Sequence, residues 1–499
     1  MEILLLLSVF VIATCGLIYE LVAGTLASYL LGDSVTQFST IIGAYLFSMG
    51  IGAYFSRFFK KDLLSWFIQL EILVGLIGGI SSAALFLLFE HAASFRLILY
   101  LLVGLTGTLV GLELPLLMNI LKDRYEFKDL VSRVFTFDYI GALLASIVFP
   151  MLLVPYLGLI RTSCFFGILN VAVAIVVLVK FKKEIKWAAY LKAKAIACIV
   201  FLAGLFIWAD RIMTFAESQA FRDPVIYSHS SPYQRIVLTH SRLDLRLYLN
   251  GNLQFSSADE YRYHEALIHP AMLYSPKRSQ VLILGGGDGM AARELLKYPE
   301  VEQVTLVDLD PAMTKLFRQN SMLASLNDSS LLSPRVRVIN ADAFQWLKEN
   351  NEQFDVVIVD FPDPGNYAVG KLYTTAFYRK LRHALTDSSV VVIQSTSPYV
   401  APKAFWCVNT TLQECNYQTI PYHTYVPSFG EWGYVMASPG PLAQRRTDLP
   451  AGLRYFAAAT FSQMRDFTAD MQPRKVLANH LNNQVLVQYF EDEWGKYQE

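Results

Sequence analysis

The first 215 positions are long apolar runs cut by short charged loops, and the pattern changes abruptly after them. Runs at 3–24, 36–54, 63–89, 97–121, 134–154, 162–180 and 189–209 each approach the ~20 residues needed to cross the hydrocarbon core of a bilayer. A core helix of a soluble protein stays apolar for about 10–14 residues, so this series predicts a membrane bundle of six to seven helices. The first run lacks a basic leading segment and a small-residue cleavage site, and further runs follow at once. It is therefore read as a retained span rather than a signal peptide. The last run is the weakest, because its unbroken apolar stretch covers only 195–209 and Lys192 and Lys194 precede it.

Beyond residue 215 the segments are short. Stretches 235–240, 245–250 and 252–256, with Asn250-Gly251 as a turn, predict a small antiparallel β unit. A strand at 280–284, a glycine loop at 285–289, a helix at 290–297 and a strand at 303–307 come next. Further strands are expected at 336–340, 355–359 and 390–394. Strands alternating with helices predict a parallel sheet covered on both faces, a Rossmann-like α/β domain. The expected division is 1–215 for the membrane helices, 216–274 for the β unit and 275–499 for the α/β domain. A chain of 499 residues exceeds one ordinary core in any case.

Charge narrows the partners. Lys+Arg and Asp+Glu both number 42, and the second part carries no basic footprint for nucleic acid. In the first part the basic residues gather in alternate loops: Arg57, Lys60 and Lys61; then Lys122, Arg124, Lys128 and Arg133; then Lys180, Lys182, Lys183 and Lys186. The intervening loops carry Asp33, then Glu90 and Arg96, then Arg161. Such basic loops are expected on the inside. Glu20, Glu71, Glu113 and Asp138 fall within the apolar runs, where an ionisable group is expensive. They read as a cation site or as carboxyls that lock helices through hydrogen bonds. Cys15, Cys164, Cys198, Cys407 and Cys415 show neither metal-ligand spacing nor a disulfide framework, and no metal site is expected.

The first strand of the α/β part ends in LILGGGDG. Its Gly285, Gly287 and Gly289 let the backbone turn sharply and approach a ligand closely. Asp308 closes the next strand about 20 residues on, where an acid can accept ribose hydroxyl hydrogen bonds. Asp288 inside the loop would repel a phosphate and suits a positively charged ligand. A later strand, FDVVIVD, delivers Asp360, with Asp363 three residues on. Asp288, Asp360 and Asp363 would thus converge on one cleft.

From about Ser231 onward the chain resembles the polyamine aminopropyltransferases, the spermidine and spermine synthases. The matching elements are SPYQ (231–234), LNGNLQ (249–254), DEYRYHE (259–265), LILGGGDG (282–289), DLD (308–310), NADAF (340–344) and DFPDP (360–364). GLIYEL, GLELPLL and FDYIGA in the first part resemble the membrane-bound branch of that family. The resemblance implies an S-adenosylmethionine-dependent transferase type of fold. It also implies transfer of the aminopropyl group of decarboxylated S-adenosylmethionine, as co-substrate without a permanently bound cofactor, to putrescine or a related diamine, giving spermidine. By the same resemblance Gln234, Asp308, Asp342 and Ala343 hold the nucleoside, with Asp288 at its aminopropyl end. His264, Asp288, Asp360 and Asp363 hold amine groups, Asp360 is the general base, and Tyr263, Gln394 and Tyr425 fall at substrate positions. Phe361 and Pro362, and the segment GNYAVGKLY (365–373), depart from the family pattern and bear on which amine is used.

The donor is made in the cytoplasm and is permanently charged at sulfur. With the loop charges, this gives the expectation of a multi-pass inner-membrane protein whose catalytic part faces the cytoplasm. Methyl transfer is the rival chemistry. The rival class is a membrane polyamine transporter or sensor with a non-catalytic, synthase-like domain. A diamine and the lipid bilayer are the expected partners, and the oligomeric state is left open, a homo-oligomer included.

Overall fold

The apolar runs fold as seven α-helices: α1 (Glu2–Leu31), α2 (Ser34–Phe55), α3 (Leu63–Leu88), α4 (Phe95–Leu121), α5 (Phe127–Val148), α6 (Val154–Lys180) and α7 (Ala188–Ala220). The computed structural model describes residues 2–31, 34–89, 94–122, 125–185 and 187–498. The loop charges at Asp33, Glu90, Arg124 and Lys186 lie outside the described residues. By length and composition six stretches among the described residues could cross a membrane, because α5 and α6 run together through a π-helical turn at Phe149–Leu153. Pro150 and Pro155 lack the N–H a regular helix needs there, and Gly158 breaks the helical path at φ +72. Helix α5 starts at Phe127, ahead of the expected 134, since Lys128, Asp129 and Arg133 are polar but still good for a helix. Helix α7 continues to Ala220, past the expected 209.

Small residues let these helices approach. A Cβ on Gly111 of α4 would stand 2.1 Å from the Met49 carbonyl of α2, and one on Gly167 of α6 would stand 2.4 Å from the Gly75 carbonyl of α3. Leu202 of α7 is fully buried against Gly79 and Gly167, so α7 lies along the middle of α3 and α6.

The chain divides into two compact units, Met1–Val225 and Ile226–Glu499. The second opens with a four-stranded sheet in the order β1 (Val225–Ser230), β2 (Arg235–His240), β3 (Leu245–Leu249), β4 (Asn252–Ser256). Helix α8 (Glu260–Tyr274) leads from it into a seven-stranded sheet. That sheet's parallel strands are β5 (Gln280–Gly285), β6 (Gln303–Asp308), β7 (Val336–Asn340), β8 (Phe354–Asp360) and β9 (Leu385–Gln394). Its last two are β10 (Gln418–Val426) and β11 (Gly430–Ser438), and β11 runs antiparallel to both β9 and β10. The connections carry α9 (Met290–Leu296), α10 (Pro311–Gln319), α11 (Ser321–Leu326), α12 (Ala343–Glu349), α13 (Tyr367–Gly370), α14 (Thr375–Leu381) and α15 (Pro402–Glu414). The chain ends with α16 (Ala458–Gln463) and α17 (Val485–Gln498).

Strand order is β10-β11-β9-β8-β5-β6-β7. Alternate residues of the central strands point to opposite faces, each buried: Ile283, Val356 and Val392 on one, Leu284, Val357 and Val391 on the other. The order reverses between β5 and β8, and a crevice opens at the carboxyl ends of strands at such a reversal.

Candidate active site

Strand β5 ends at Gly285, whose register partner on β8 is Asp360. Gly285 has φ +88, and a Cβ there would stand 2.1 Å from the Asp360 carbonyl, so the loop leaves the strand in a form open only to glycine. Two residues on, the Gly287 N–H donates to Oδ2 of Asp308 at 3.0 Å. Asp288 then turns back to accept from the Met290 N–H at 2.9 Å, capping the start of α9. The glycine loop is thus pinned to the acid of the next strand before any ligand arrives.

Helix α8 supplies the other wall. The Tyr263 hydroxyl donates to Oδ1 of Asp360 at 2.5 Å, and its ring stands 5.6 Å from that of Tyr434 on β11. His264 is buried, and its Nδ1 pairs with Oε2 of Glu260 at 2.7 Å. Arg293 of α9 grips both Glu260 oxygens at 2.9 Å. Burial opposes the Glu260 charge, yet His264 and Arg293 hold its carboxyl down at about 2. Burial likewise opposes charge on His264, but Glu260, with Asp288 and Asp360 beyond it, pushes the imidazole up to about 9. A protonated His264 offers no lone pair, so the acceptors left on this side of the crevice are its carboxylates.

Those carboxylates are held in a basic-shifted state. Burial pushes Asp360 up to about 6 and Asp288 adds to it, against the pull of His264 and the Tyr263 bond. Burial also lifts Asp363 to about 6, against hydrogen bonds from Gln394 and Thr396. Gln394 at the end of β9 donates to Oδ1 of Asp363 at 3.1 Å and to the Phe361 carbonyl at 2.7 Å. The Thr396 hydroxyl donates to Oδ2 of Asp363 at 3.3 Å and accepts from Nε1 of Trp494 on α17 at 3.3 Å. Thr396 adopts φ +58, a strained left-handed conformation for a β-branched residue. Burial raises Asp308 to about 6 despite the N–H groups of Asp310 and Gly287, and it raises Asp288 as well.

Tyr263, His264, Asp288, Asp308, Asp360, Asp363 and Gln394 therefore gather at the carboxyl ends of β5, β6, β8 and β9. Gln234 reaches them indirectly: its Nε2 donates to Asp310 at 2.9 Å, and the Asp310 N–H donates to Asp308 at 2.9 Å. Asp342 and Ala343 stand past the end of β7, where Asp342 caps α12 through the Phe344 N–H at 2.8 Å. Lys371, from the segment that departs from the family pattern, donates to the other Asp342 oxygen at 2.7 Å. Tyr425 on β10 leaves 53% of its surface exposed, and its hydroxyl makes no hydrogen bond among the described residues. Phe361 turns into the core against Tyr373 and Phe377, so it keeps out of the cleft. Sequence reasoning missed Glu260, Arg293, Thr396 and Tyr434. Glu260 was findable, since it sits four residues before His264 on one helix face.

A doubly wound sheet with one reversed strand, a glycine loop pinned to an acid and a crevice of carboxylates defines a nucleoside-using transferase. The spermine/spermidine synthase domain family matches residues 260–446. Polyamine aminopropyltransferase 2 of Ralstonia nicotianae is 54% identical, covering 98% of each chain. The polyamine aminopropyltransferase of Leptospira interrogans is 49% identical, covering 99% of each. Among solved structures, spermidine synthase from Thermotoga maritima is 25% identical over 49% of this chain and 84% of its own, with TM-score 0.44. A spermidine synthase in complex with the transition state analogue AdoDATO is 25% identical over 55% of this chain and 88% of its own, with TM-score 0.46. The chain belongs to the polyamine aminopropyltransferases. It is an enzyme of aminopropyl transfer, with decarboxylated S-adenosylmethionine as co-substrate.

Proposed function

We propose that the acceptor is putrescine or a closely related diamine and that the products are spermidine and methylthioadenosine. The observation that carries this is the placing of two carboxylates three residues apart at the carboxyl end of β8, Asp360 against the glycine loop and Asp363 held by Gln394 and Thr396. At neutral pH both remain mostly ionised and can hold a dication. An alkylammonium ordinarily loses its proton near 10.4, so it cannot attack until a base takes that proton. Burial that raises Asp360 narrows this gap, and Asp360 is the proposed general base, with Tyr263 holding its Oδ1 and Oδ2 left to take the proton. The amine lone pair then attacks the methylene carbon beside the sulfonium. The carbon–sulfur bond breaks with its electrons going to sulfur, and Asp360 keeps the proton. Asp363, aligned by Gln394 and Thr396, takes the distal ammonium. Asp308 and the Gln234–Asp310 pair are proposed to hold the nucleoside, with Asp342 and Ala343 at its base and Asp288 facing the aminopropyl amine. Product mass spectrometry on purified protein, given the nucleoside donor and a panel of amines, tests the reading. Preferential consumption of a longer or shorter amine would overturn the choice of acceptor.

The first unit is proposed to embed the enzyme in a lipid bilayer. The helix count weighs against a cytoplasmic catalytic part. By alternation the basic loops after α2, α4 and α6 share one side. Helix α7 starts from the last of them and packs along the middle of α3 and α6, so one crossing separates those loops from the chain beyond α7. With basic loops inside, the catalytic unit falls outside.

A further inference from the structure

Within the helical unit two acidic side chains face each other with nothing to neutralise them. Glu71 on α3 is 0% exposed and Glu113 on α4 is 1% exposed. Their carboxyl groups lie within hydrogen-bonding reach of each other. None of the four oxygens has a donor or ion-pair partner among the described residues. Two carboxylates cannot stand together in a dry interior unless a proton or a cation lies between them.

Further polar atoms without partners surround the pair. Tyr19 on α1 is 3% exposed, its hydroxyl is unbonded, and it lies close enough to both carboxyls to feel their charge. Its ring packs on Gly78 of α3. Asn170 on α6 is fully buried with both amide atoms unbonded, and its Cβ lies against Gly75, one turn beyond Glu71. Buried polar side chains are nearly always bonded. The open oxygens of Glu71, Glu113 and Tyr19, on three helices, call for something that brings donors. Tyr45 on α2 is excluded from that set, since its hydroxyl is spent on the Gly16 carbonyl at 2.8 Å.

The donor inventory selects the ligand. Carboxylate, phenol and carboxamide oxygens are hard acceptors and call for a hard cation or an N–H donor. A divalent metal is disfavoured, because no group of three or more His, Cys, Asp or Glu among the described residues is arranged to hold one. A shared proton satisfies the pair but leaves the Tyr19 oxygen without a donor. A primary ammonium brings one positive charge and three N–H donors and needs no donor in return. It serves both carboxyls and a third acceptor at once.

We infer that Glu71 and Glu113, with Tyr19, form a second amine site inside the helical unit, which takes the primary ammonium end of an aliphatic amine. The inference rests on the reading that this enzyme works on diamines. It gives the bundle a part in handling the same charged class of molecule, which a bilayer otherwise excludes.

The test uses the full chain in lipid nanodiscs and radiolabelled 1,4-diaminobutane as the probe, without nucleoside donor. Wild type is expected to bind two equivalents and the E71Q/E113Q double variant one, with aminopropyl transfer retained by both. One equivalent in both proteins, with transfer intact, overturns the site and leaves a proton-sharing pair. Transfer is then read on the same preparations after the nucleoside donor is added, so a failed amine chemistry shows as absent turnover in wild type. Should the double variant not fold, wild type alone still decides. A hydrophobic carbodiimide modifies buried carboxyls, and peptide mass spectrometry locates the adduct. Diamine at ten times its Kd is expected to cut labelling of Glu71 and Glu113 about tenfold; labelling indifferent to diamine overturns the proposal.

Discussion

The Tyr263 hydroxyl donates to Oδ1 of Asp360 at 2.5 Å, which ties helix α8 to the end of strand β8. The bond favours the ionised carboxylate, whereas burial, the larger effect, disfavours it and sets the acid near 6. Removing the donor leaves burial less opposed and raises Asp360 further. In Tyr263→Phe the acidic limb of kcat/KM is therefore expected to move to higher pH. An unmoved limb would show that the bond only packs the helix.

Replacing the proposed base is more severe. Asp360→Asn is expected to cost about 10²–10⁴ in turnover, the usual worth of general acid–base catalysis. Nucleoside binding should stay within a few-fold, as measured by equilibrium titration. A variant keeping half of wild-type turnover would remove Asp360 from the role.

Asp288 has two jobs that one substitution separates. Asp288→Asn keeps an oxygen for the Met290 N–H and so preserves the cap on α9, while losing the charge. It should weaken the decarboxylated nucleoside far more than methylthioadenosine, which lacks the aminopropyl amine. Equal losses for both ligands would confine Asp288 to the cap.

The glycine loop, Asp308 and the Asp360–Asp363 pair were legible because each lies at a strand end, where alternation and glycine spacing are local signals. What lay beyond reach depended on distant chain. Thr396 and Trp494 meet across 98 residues, and Tyr434 reaches Tyr263 only because β11 inserts beside β9. No periodicity announced that reversed strand. In the helical half hydropathy located the helices, but it started α5 late, since a helix can begin on charged residues.

The same motif that carries His264 also carries a purely architectural acid. Glu265 is buried and accepts from the N–H groups of Arg454, Tyr455 and Phe456 at 2.8, 2.9 and 2.7 Å. Glu265→Ala leaves three N–H donors without their acceptor, the Phe456 one buried, and should cost roughly 1–3 kcal/mol. The check is the urea midpoint of tryptophan fluorescence, and a midpoint equal to wild type would contradict it.

Sidedness can be read directly. Leu243 is 92% exposed, so Leu243→Cys in a background without the five native cysteines presents a reactive thiol. A membrane-impermeant maleimide is expected to label it in intact spheroplasts. Labelling only after lysis would put the catalytic unit in the cytoplasm and show that α7 does not cross.

Thr396 sets a trap for laboratory evolution. Its left-handed backbone holds of the order of 1–3 kcal/mol of strain, and Thr396→Gly would release it. A screen for heat resistance should therefore favour that change. The same change deletes the hydroxyl between Trp494 and Asp363, freeing the carboxylate proposed to take the far end of the diamine. The sturdier protein would bind its amine worse, so selection for durability and selection for turnover pull this one residue in opposite directions.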